Sequence, residues 1–175
     1  VDMETVSLND HTAIGIGVYW SDNSGAYFPI FPNQAEELPR VLGKVSDPNT
    51  TKIYHNGIGF DLEVLENLAE CEGFDRPDDV NIEDSSIMAQ VSGLPAGLQR
   101  LGEEWLGYTD LFSIQDLFRA YGCKDMLGVP AERVAEKCLN DCRTTWKLYH
   151  NLNEGPSSSD RNGAGPTSNI QKLTS

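Results

Sequence analysis

The hydrophobic pattern over the first thirty positions predicts β-strands. Ile14, Ile16 and Val18 alternate with small residues, which is typical of a strand that buries one face. Similar runs of β-favouring residues recur further along the chain, and Pro29 indicates that the third run lies at a sheet edge. The predicted strands are 1–4, 12–20, 26–31, 51–55 and 79–84.

Later apolar residues repeat at a helical spacing, as Val64, Leu65 and Leu68 do within 60–70. The predicted helices are 34–45, 60–70, 85–92, 97–107, 113–121 and 130–152. Pro39 should shorten or kink the first helix, whereas Pro130 stands at a favourable first-turn position of the last. Because strands come first and then alternate with helices, we expect an α/β domain. Its mixed central sheet would be an antiparallel meander followed by a crossover to parallel strands.

The composition changes at Asn153. The segment NEGPSSSDRNGAGPTSNIQKLTS holds only Ile170 and Leu173 as large apolar residues, which predicts a flexible linker or tail over 153–175. One domain over 1–152 suits a chain of 175 residues. Because Val1 opens the chain in what reads as the middle of a strand, we expect natural residues before it.

Charge and cysteine usage narrow the functional classes. The formal net charge of −14 argues against a domain that binds nucleic acid by itself. It is compatible with an enzyme whose bound metal ions supply positive charge. The four cysteines form no C-x-x-C pair, which argues against a zinc site and favours a reducing, cytoplasmic compartment. No signal segment or apolar run long enough for a membrane span is present in these 175 residues.

Several acids stand where a structural role alone does not explain them. Asp2 and Glu4 point to the same face of a strand, unless they belong to a frayed, solvated terminus. Asp61 opens a helix, where an acid is also a favourable cap. Asp141 falls within the apolar stripe of the last helix, and an ion pair with Lys137 four residues earlier is the structural alternative.

Together these acids predict a site for hard divalent cations. Mg²⁺ and Mn²⁺ prefer carboxylate oxygens, and two such ions ~3.5–4 Å apart can drive phosphodiester cleavage. Four carboxylates suffice to hold two ions, and we expect Asp2, Glu4, Asp61 and Asp141 to converge on one cleft.

The residues resemble the DEDD superfamily of 3′→5′ exonucleases, and most closely the proofreading domain of bacteriophage-type family A DNA polymerases. The likeness runs from residue 1 to about 152 through VDMETVSL, HNGIGFD and KCLNDCRTTWKLY, with IEDSSIMAQVSGLPAGLQRLGEEWLG between the last two. It implies an RNase H-like fold, a mixed five-stranded sheet flanked by helices. It also implies two divalent ions and a polymerase domain, in cis or in trans, as partner.

The resemblance assigns roles to particular positions. It implies Asp2, Glu4, Asp61 and Asp141 as metal ligands and catalytic residues. Its implied contacts with the 3′ end of a single DNA strand are Met3, Leu8, Asn56 and Phe60, with Leu8 as an apolar wedge against the terminal bases.

The sequence departs from the family pattern at one point. Where the family has a Tyr four residues before the last Asp, or a His five before it, this chain has Lys137 and Glu136. Lys137 is therefore a candidate catalytic group that could compete with one metal, contact the phosphate or hold the water.

The expected function is hydrolysis of single-stranded DNA 3′ ends to nucleoside 5′-monophosphates, in a bacterial or phage-infected cell. The alternatives are an RNase D-like RNA-trimming exonuclease and a weakened or inactive module with a binding or structural role. Asp84 is expected to cap a helix, His55 to be structural, and Trp20, Trp105 and Trp146 to lie in the core.

Overall fold

The computed structural model describes residues 1–21, 23–30, 37–73 and 81–154. The strands within these ranges are β1 (Asp2–Ser7), β2 (Asp10–Ser21), β3 (Ser24–Pro29), β4 (Lys52–Tyr54) and β5 (Ile82–Asp84). The helices are α1 (Leu38–Val45), α2 (Asp61–Cys71), α3 (Ser85–Val91), α4 (Leu98–Trp105), α5 (Ile114–Tyr121) and α6 (Ala131–Glu154).

The five strands form two sheets. β1, β2 and β3 make an antiparallel meander, and β4 pairs with β5 in parallel, as the hydrophobic pattern predicted. The expected single five-stranded sheet is not found in the described part of the chain. The two sheets meet where the Val1 ammonium donates to the Ile53 carbonyl, 2.8 Å away. β4 and β5 are each three residues long and pair only with each other among the described strands.

The predicted elements exist, and their ends shift by a few residues. β1 continues to Ser7 because it pairs with β2 as far as the Ser7–Asp10 contact of a tight hairpin. α1 begins at Leu38 with Pro39 in its first turn, so the proline marks the start of the helix and does not kink it. Residues 31–36, 79–80 and 155–175 lie outside the described residues. They include parts of the predicted strands 26–31 and 79–84, of the predicted helix 34–45 and of the predicted tail 153–175.

The largest group of buried apolar side chains lies between the meander and helices α1 and α2. It includes Met3, Ile16 and Leu42, and Ile16 is completely buried. Because the Met3 side chain packs in this group, the middle of β1 is held against the core. The strand that carries Asp2 and Glu4 is thereby held in place.

The long helix α6 lies close against β2 at a glycine. A Cβ built on Gly17 would stand 2.6 Å from Cys138 Sγ and 2.9 Å from Cys142 Sγ, so only glycine fits there. Both cysteines are buried, as predicted for small apolar residues of the last helix. The close approach brings the neighbouring residues of α6 to the acidic strand β1.

The tryptophans do not all lie in the core. Trp20 is 56% exposed, because it stands near the end of β2, so its predicted core position was wrong. Trp105 and Trp146 are half-buried, and Trp146 stacks on His150 with ring centroids 4.3 Å apart. Among the described residues, no helix combines the length and apolar character that a membrane crossing requires.

Candidate active site

One cleft of about 670 Å³ gathers the candidate residues. Strand β1, the segment before α2, helix α6 and the loop before α5 form its walls. All nine residues singled out in the sequence line it: Asp2, Met3, Glu4, Leu8, Asn56, Phe60, Asp61, Lys137 and Asp141. The structure thus brings these residues together, and their chemical roles stay predictions.

Asp2 and Glu4 project from β1 toward α6. Carboxylate oxygens of the two residues and the Cys138 sulfur lie within 4.8 Å of one another. Burial, together with the neighbouring charge of Glu4, raises the pKa of Asp2 to about 8. Burial also raises the pKa of Glu4, although the Lys137 ammonium opposes this. Asp2 Oδ2 is buried and has no hydrogen-bond partner.

Asp61 is the first residue of α2 and turns back toward β1. Its Oδ1 accepts a hydrogen bond of 2.7 Å from the Met3 backbone N–H, between Asp2 and Glu4. Burial and the charge of Asp2 raise the pKa of Asp61 to about 7, outweighing this hydrogen bond. Asp61 is the first helical residue and not the N-cap of α2, which is Phe60, and its carboxylate instead joins α2 to the acidic strand.

Asp141 enters the cleft from α6, with Lys137 one turn earlier on the same helix. Lys137 Nζ donates to Asp141 Oδ2 at 2.8 Å and to Glu4 Oε1 at 2.9 Å. Burial acts to lower the pKa of Lys137, but the charges of Glu4 and Asp141 raise it well above its usual value. The ion pair with Asp141 was the structural alternative in the sequence, and its extension to Glu4 was not foreseen.

The second departure from the family pattern, Glu136, plays no part in the cleft. It forms an ion pair with Arg133, and both side chains are more than 40% exposed. Of the two positions where the family carries a Tyr or a His, only Lys137 reaches the carboxylates.

Three other candidates, Leu8, Phe60 and Asn56, line the cleft, whereas the side chain of Met3 is buried in the core. Leu8 is 68% exposed in the turn between β1 and β2. The Phe60 ring stands edge-on to His11, with centroids 5.0 Å apart. Asn56 adopts a left-handed conformation with φ of 61°, and its backbone N–H donates to Asp84 Oδ1 at 2.9 Å. Such a backbone suits Asn better than most residues.

Asp84 has the capping role that was predicted, and the structural role of His55 stays a prediction. Asp84 is the N-cap of α3, accepts from the Ser86 backbone N–H, and also holds the backbone of Asn56. These hydrogen bonds, acting against burial, lower the pKa of Asp84. The two ring nitrogens of His55 lie 2.9 Å from Ser85 Oγ and 2.6 Å from the Ala96 carbonyl, which fixes the imidazole in the cleft wall.

Sequence reasoning missed some residues in the cleft lining and one buried residue beside it. Cys138 was predicted only as a buried apolar residue, yet its sulfur lies beside Asp2 and Glu4. Its position three residues before Asp141 on the same helix face was the available signal. Gln90, Gln99, Phe112 and Ser113 line the cleft. Gln90 and Gln99 fall within the middle segment that carries the resemblance, but the sequence assigned no role to any of the four.

The donor set fits a divalent cation. Four carboxylates offer hard oxygen ligands of the kind that Mg²⁺ and Mn²⁺ prefer. The buried Asp2 Oδ2 has no hydrogen-bond partner, and a buried carboxylate without one is costly unless a cation joins it. The charge of Lys137 offsets only part of this acidic cluster.

A second cavity lies near the far end of β2 and has a different character. It has a volume of about 590 Å³, and its described lining includes Val18, Trp20 and Trp146. Among the described residues that line it there is no carboxylate. The acidic cleft is therefore the better candidate for chemistry.

The comparisons with known proteins agree with this geometry. A family model described as 3′-5′ exonuclease matches residues 1–155, which include all of the cleft residues named above. No curated protein and no solved structure matches the chain.

Proposed function

Since the chain belongs to the 3′-5′ exonuclease family, we propose that it hydrolyses single-stranded DNA from the 3′ end and releases nucleoside 5′-monophosphates. The observation that carries the proposal is the convergence of Asp2, Glu4, Asp61 and Asp141, from three separate segments, on one cleft. We also infer an RNase H-like fold and a proofreading role beside a polymerase domain, in cis or in trans.

Divalent ions, Mg²⁺ or Mn²⁺, would be held by these four carboxylates. Bound there, such ions supply positive charge beside the reacting phosphate and lower the pKa of a water molecule. Four carboxylates suffice for the two ions that the resemblance implies. Because Lys137 already holds one oxygen each of Glu4 and Asp141, a second ion would require the lysine to move.

The residues of the cleft wall would hold the strand end. Leu8, exposed at the β1–β2 turn, can insert beside the terminal bases, and the Phe60 ring offers a stacking surface. The Asn56 side chain has a polar amide for the nucleotide, on a backbone fixed by Asp84. These contacts would place the last phosphodiester bond over the carboxylates.

The net charge indicates how the strand would arrive. A chain of −14 offers little general attraction to a phosphate backbone. A neighbouring polymerase module that binds DNA would raise the local concentration of the 3′ end at the cleft. This delivery is the partnership that we propose for the domain.

Digestion of a 5′-labelled single DNA strand, with and without a 3′ blocking group, tests the proposal. We expect the open strand to shorten stepwise from its 3′ end with Mg²⁺ or Mn²⁺, and the blocked strand to persist. EDTA or the Asp141→Ala substitution should stop the reaction. An RNA strand of the same sequence, digested faster than the DNA, would favour the RNA-trimming alternative.

The contacts of Lys137 favour one alternative, a weakened or inactive module. An ammonium between Glu4 and Asp141 opposes metal binding at those two oxygens. If the folded chain leaves both strands intact with either ion, the exonuclease proposal fails and the non-catalytic module replaces it.

A further inference from the structure

Lys137 is a cation already resident in the acidic cleft. Its Nζ stands 2.9 Å from Glu4 Oε1 and 2.8 Å from Asp141 Oδ2, and its side chain is only 14% exposed. The two acceptors belong to β1 and α6, so the ammonium joins the strand to the helix. Glu4 and Asp141 therefore each have an oxygen neutralised without any metal ion.

The other two carboxylates are not neutralised in this way. Asp2 Oδ2 is buried without a hydrogen-bond partner, and Asp61 uses its Oδ1 for the Met3 backbone N–H. Within the described ranges, neither Asp2 nor Asp61 forms an ion pair. The carboxyl groups without a cationic partner thus lie on the Asp2–Asp61 side of the cleft.

We propose that the Lys137 ammonium takes the place of one of two divalent ions, so that the cleft binds a single Mg²⁺ or Mn²⁺ on its Asp2–Asp61 side. This inference rests on the proposed function, and it specifies how many divalent ions the proposed active site binds. An ammonium has three donors and no lone pair, so it acts as a counter-ion and never as a metal ligand.

Crowding and repulsion exclude the second ion. The two ions of a two-metal site lie ~3.5–4 Å apart and share the carboxylates between them. Lys137 Nζ already uses the Glu4 and Asp141 oxygens at hydrogen-bonding distance. A divalent ion on the same oxygens would meet a like charge where little water screens it.

The experiment measures how many Mn²⁺ ions bind to the full chain. Calorimetry gives the number and affinity of the ions, and electron paramagnetic resonance distinguishes an isolated Mn²⁺ from a coupled pair. The variants are Lys137→Met, which keeps most of the side-chain length and removes the charge, and Lys124→Met as matched control. Lys124 is exposed and does not line the cleft.

We expect one isolated Mn²⁺ per chain in the wild type and in Lys124→Met. Lys137→Met should bind a second, spin-coupled Mn²⁺ at least about tenfold more tightly than the wild type does, within the 5–150-fold range usual for coupling between two ligands. Lys137→Gln, which keeps a donor without the charge, should behave as Lys137→Met does. Thermal melting of each variant establishes that it is folded.

Two results would overturn the inference. One is a wild type that binds two Mn²⁺ with affinities within about threefold of those of Lys137→Met, since the lysine then moves aside freely. The other is a folded Lys137→Met that still binds one ion, or none. These outcomes are separate from the proposed function, which fails if a chain with Mn²⁺ bound leaves single-stranded DNA intact.

Discussion

Asp2 and Asp61 show at the residue scale what burial does to acids in this cleft. Burial raises the pKa of Asp2 to about 8 and that of Asp61 to about 7, with a further contribution from neighbouring acids. In the unfolded chain these carboxyls have the ordinary pKa of an aspartic acid, near 3.8. Their contribution to the stability of the metal-free fold is therefore full below about pH 4 and is lost as the pH rises through 7 to 8.

Asp2→Asn should stabilise the metal-free protein, and increasingly so at higher pH, because the amide removes the cost of a buried charge. We expect the melting temperature to rise by about 4–8 °C at pH 8, which corresponds to ~2 kcal/mol for a domain of this size, and by far less at pH 5. Thermal melts in EDTA across this pH range measure it. Glu83→Gln, at an exposed position, is the control, and an effect of Asp2→Asn that does not vary with pH would contradict the account.

Lys137→Tyr should raise the rate of strand digestion by about tenfold or more. It removes the ammonium from Glu4 and Asp141 and introduces a hydroxyl at the position where the family has one, and positioning groups are typically worth ~10²–10⁴-fold. Digestion of single-stranded DNA with Mg²⁺ and with Mn²⁺, beside Asp141→Ala, measures the change. If Lys137→Tyr is as inactive as Asp141→Ala, Lys137 is itself a catalytic group.

The sequence predicted which acids lie in the cleft, but it did not predict all of the side chains that contact them. Helix periodicity places Lys137 one turn from Asp141, because both lie on α6. The contact with Glu4 spans 133 positions and depends on how closely α6 approaches β1, which no local pattern encodes.

At the scale of elements, the position of α6 against the meander decides whether the site assembles. Gly17 pairs with Asp2 across the β1–β2 ladder and leaves room for Cys138 and Cys142. The alternation of Ile14, Ile16 and Val18 predicted the strand but not the need for glycine between them. Likewise, the pattern predicted β4 but not that β4 and β5 would form a sheet separate from the meander.

Gly17→Ala should destabilise the protein by about 1–3 kcal/mol, the usual cost of an extra carbon in a filled space. The added methyl group should push α6 away from β2. Because α6 carries Lys137 and Asp141, this shift should move both residues away from β1 and lower exonuclease activity. Chemical denaturation and strand digestion measure the two effects. Gly43→Ala is the matched control: a Cβ at Gly43 meets nothing within 4 Å, so helix α1 should gain ~0.5–1 kcal/mol at unchanged activity. Equal effects of the two substitutions would contradict this account of α6.

At the scale of the whole molecule, the net charge of −14 argues against general attraction of nucleic acid by this chain alone. The tail residues 153–175 carry charges that sum to zero, so the excess of acid lies on residues 1–152. Composition alone predicted this, and it agrees with a cleft that needs cations before a phosphate can approach. How the two sheets and six helices surround the cleft could not be predicted, because it depends on contacts between distant segments.

Binding of single-stranded DNA should therefore depend on the divalent ion. In EDTA we expect an affinity weaker than about 10⁻⁴ M at physiological salt, the weak end of nonspecific binding by basic proteins. Ca²⁺, as a divalent ion in place of Mg²⁺, should tighten binding by about tenfold or more, since it reduces the negative charge of the cleft. Fluorescence anisotropy of a labelled strand measures both values. Equal affinity in EDTA and Ca²⁺ would show that the carboxylates do not hold the strand end through an ion.

The central claim concerns which bond this cleft breaks, and the identity of the first product tests it most directly. A single DNA strand labelled in its 3′-terminal nucleotide is incubated with Mg²⁺ and the wild-type chain or Asp141→Ala. The account predicts that the wild type releases the label at once as a nucleoside 5′-monophosphate and that Asp141→Ala releases none. Release of the label as an oligonucleotide or a 3′-phosphate, or equal release by Asp141→Ala, would contradict it.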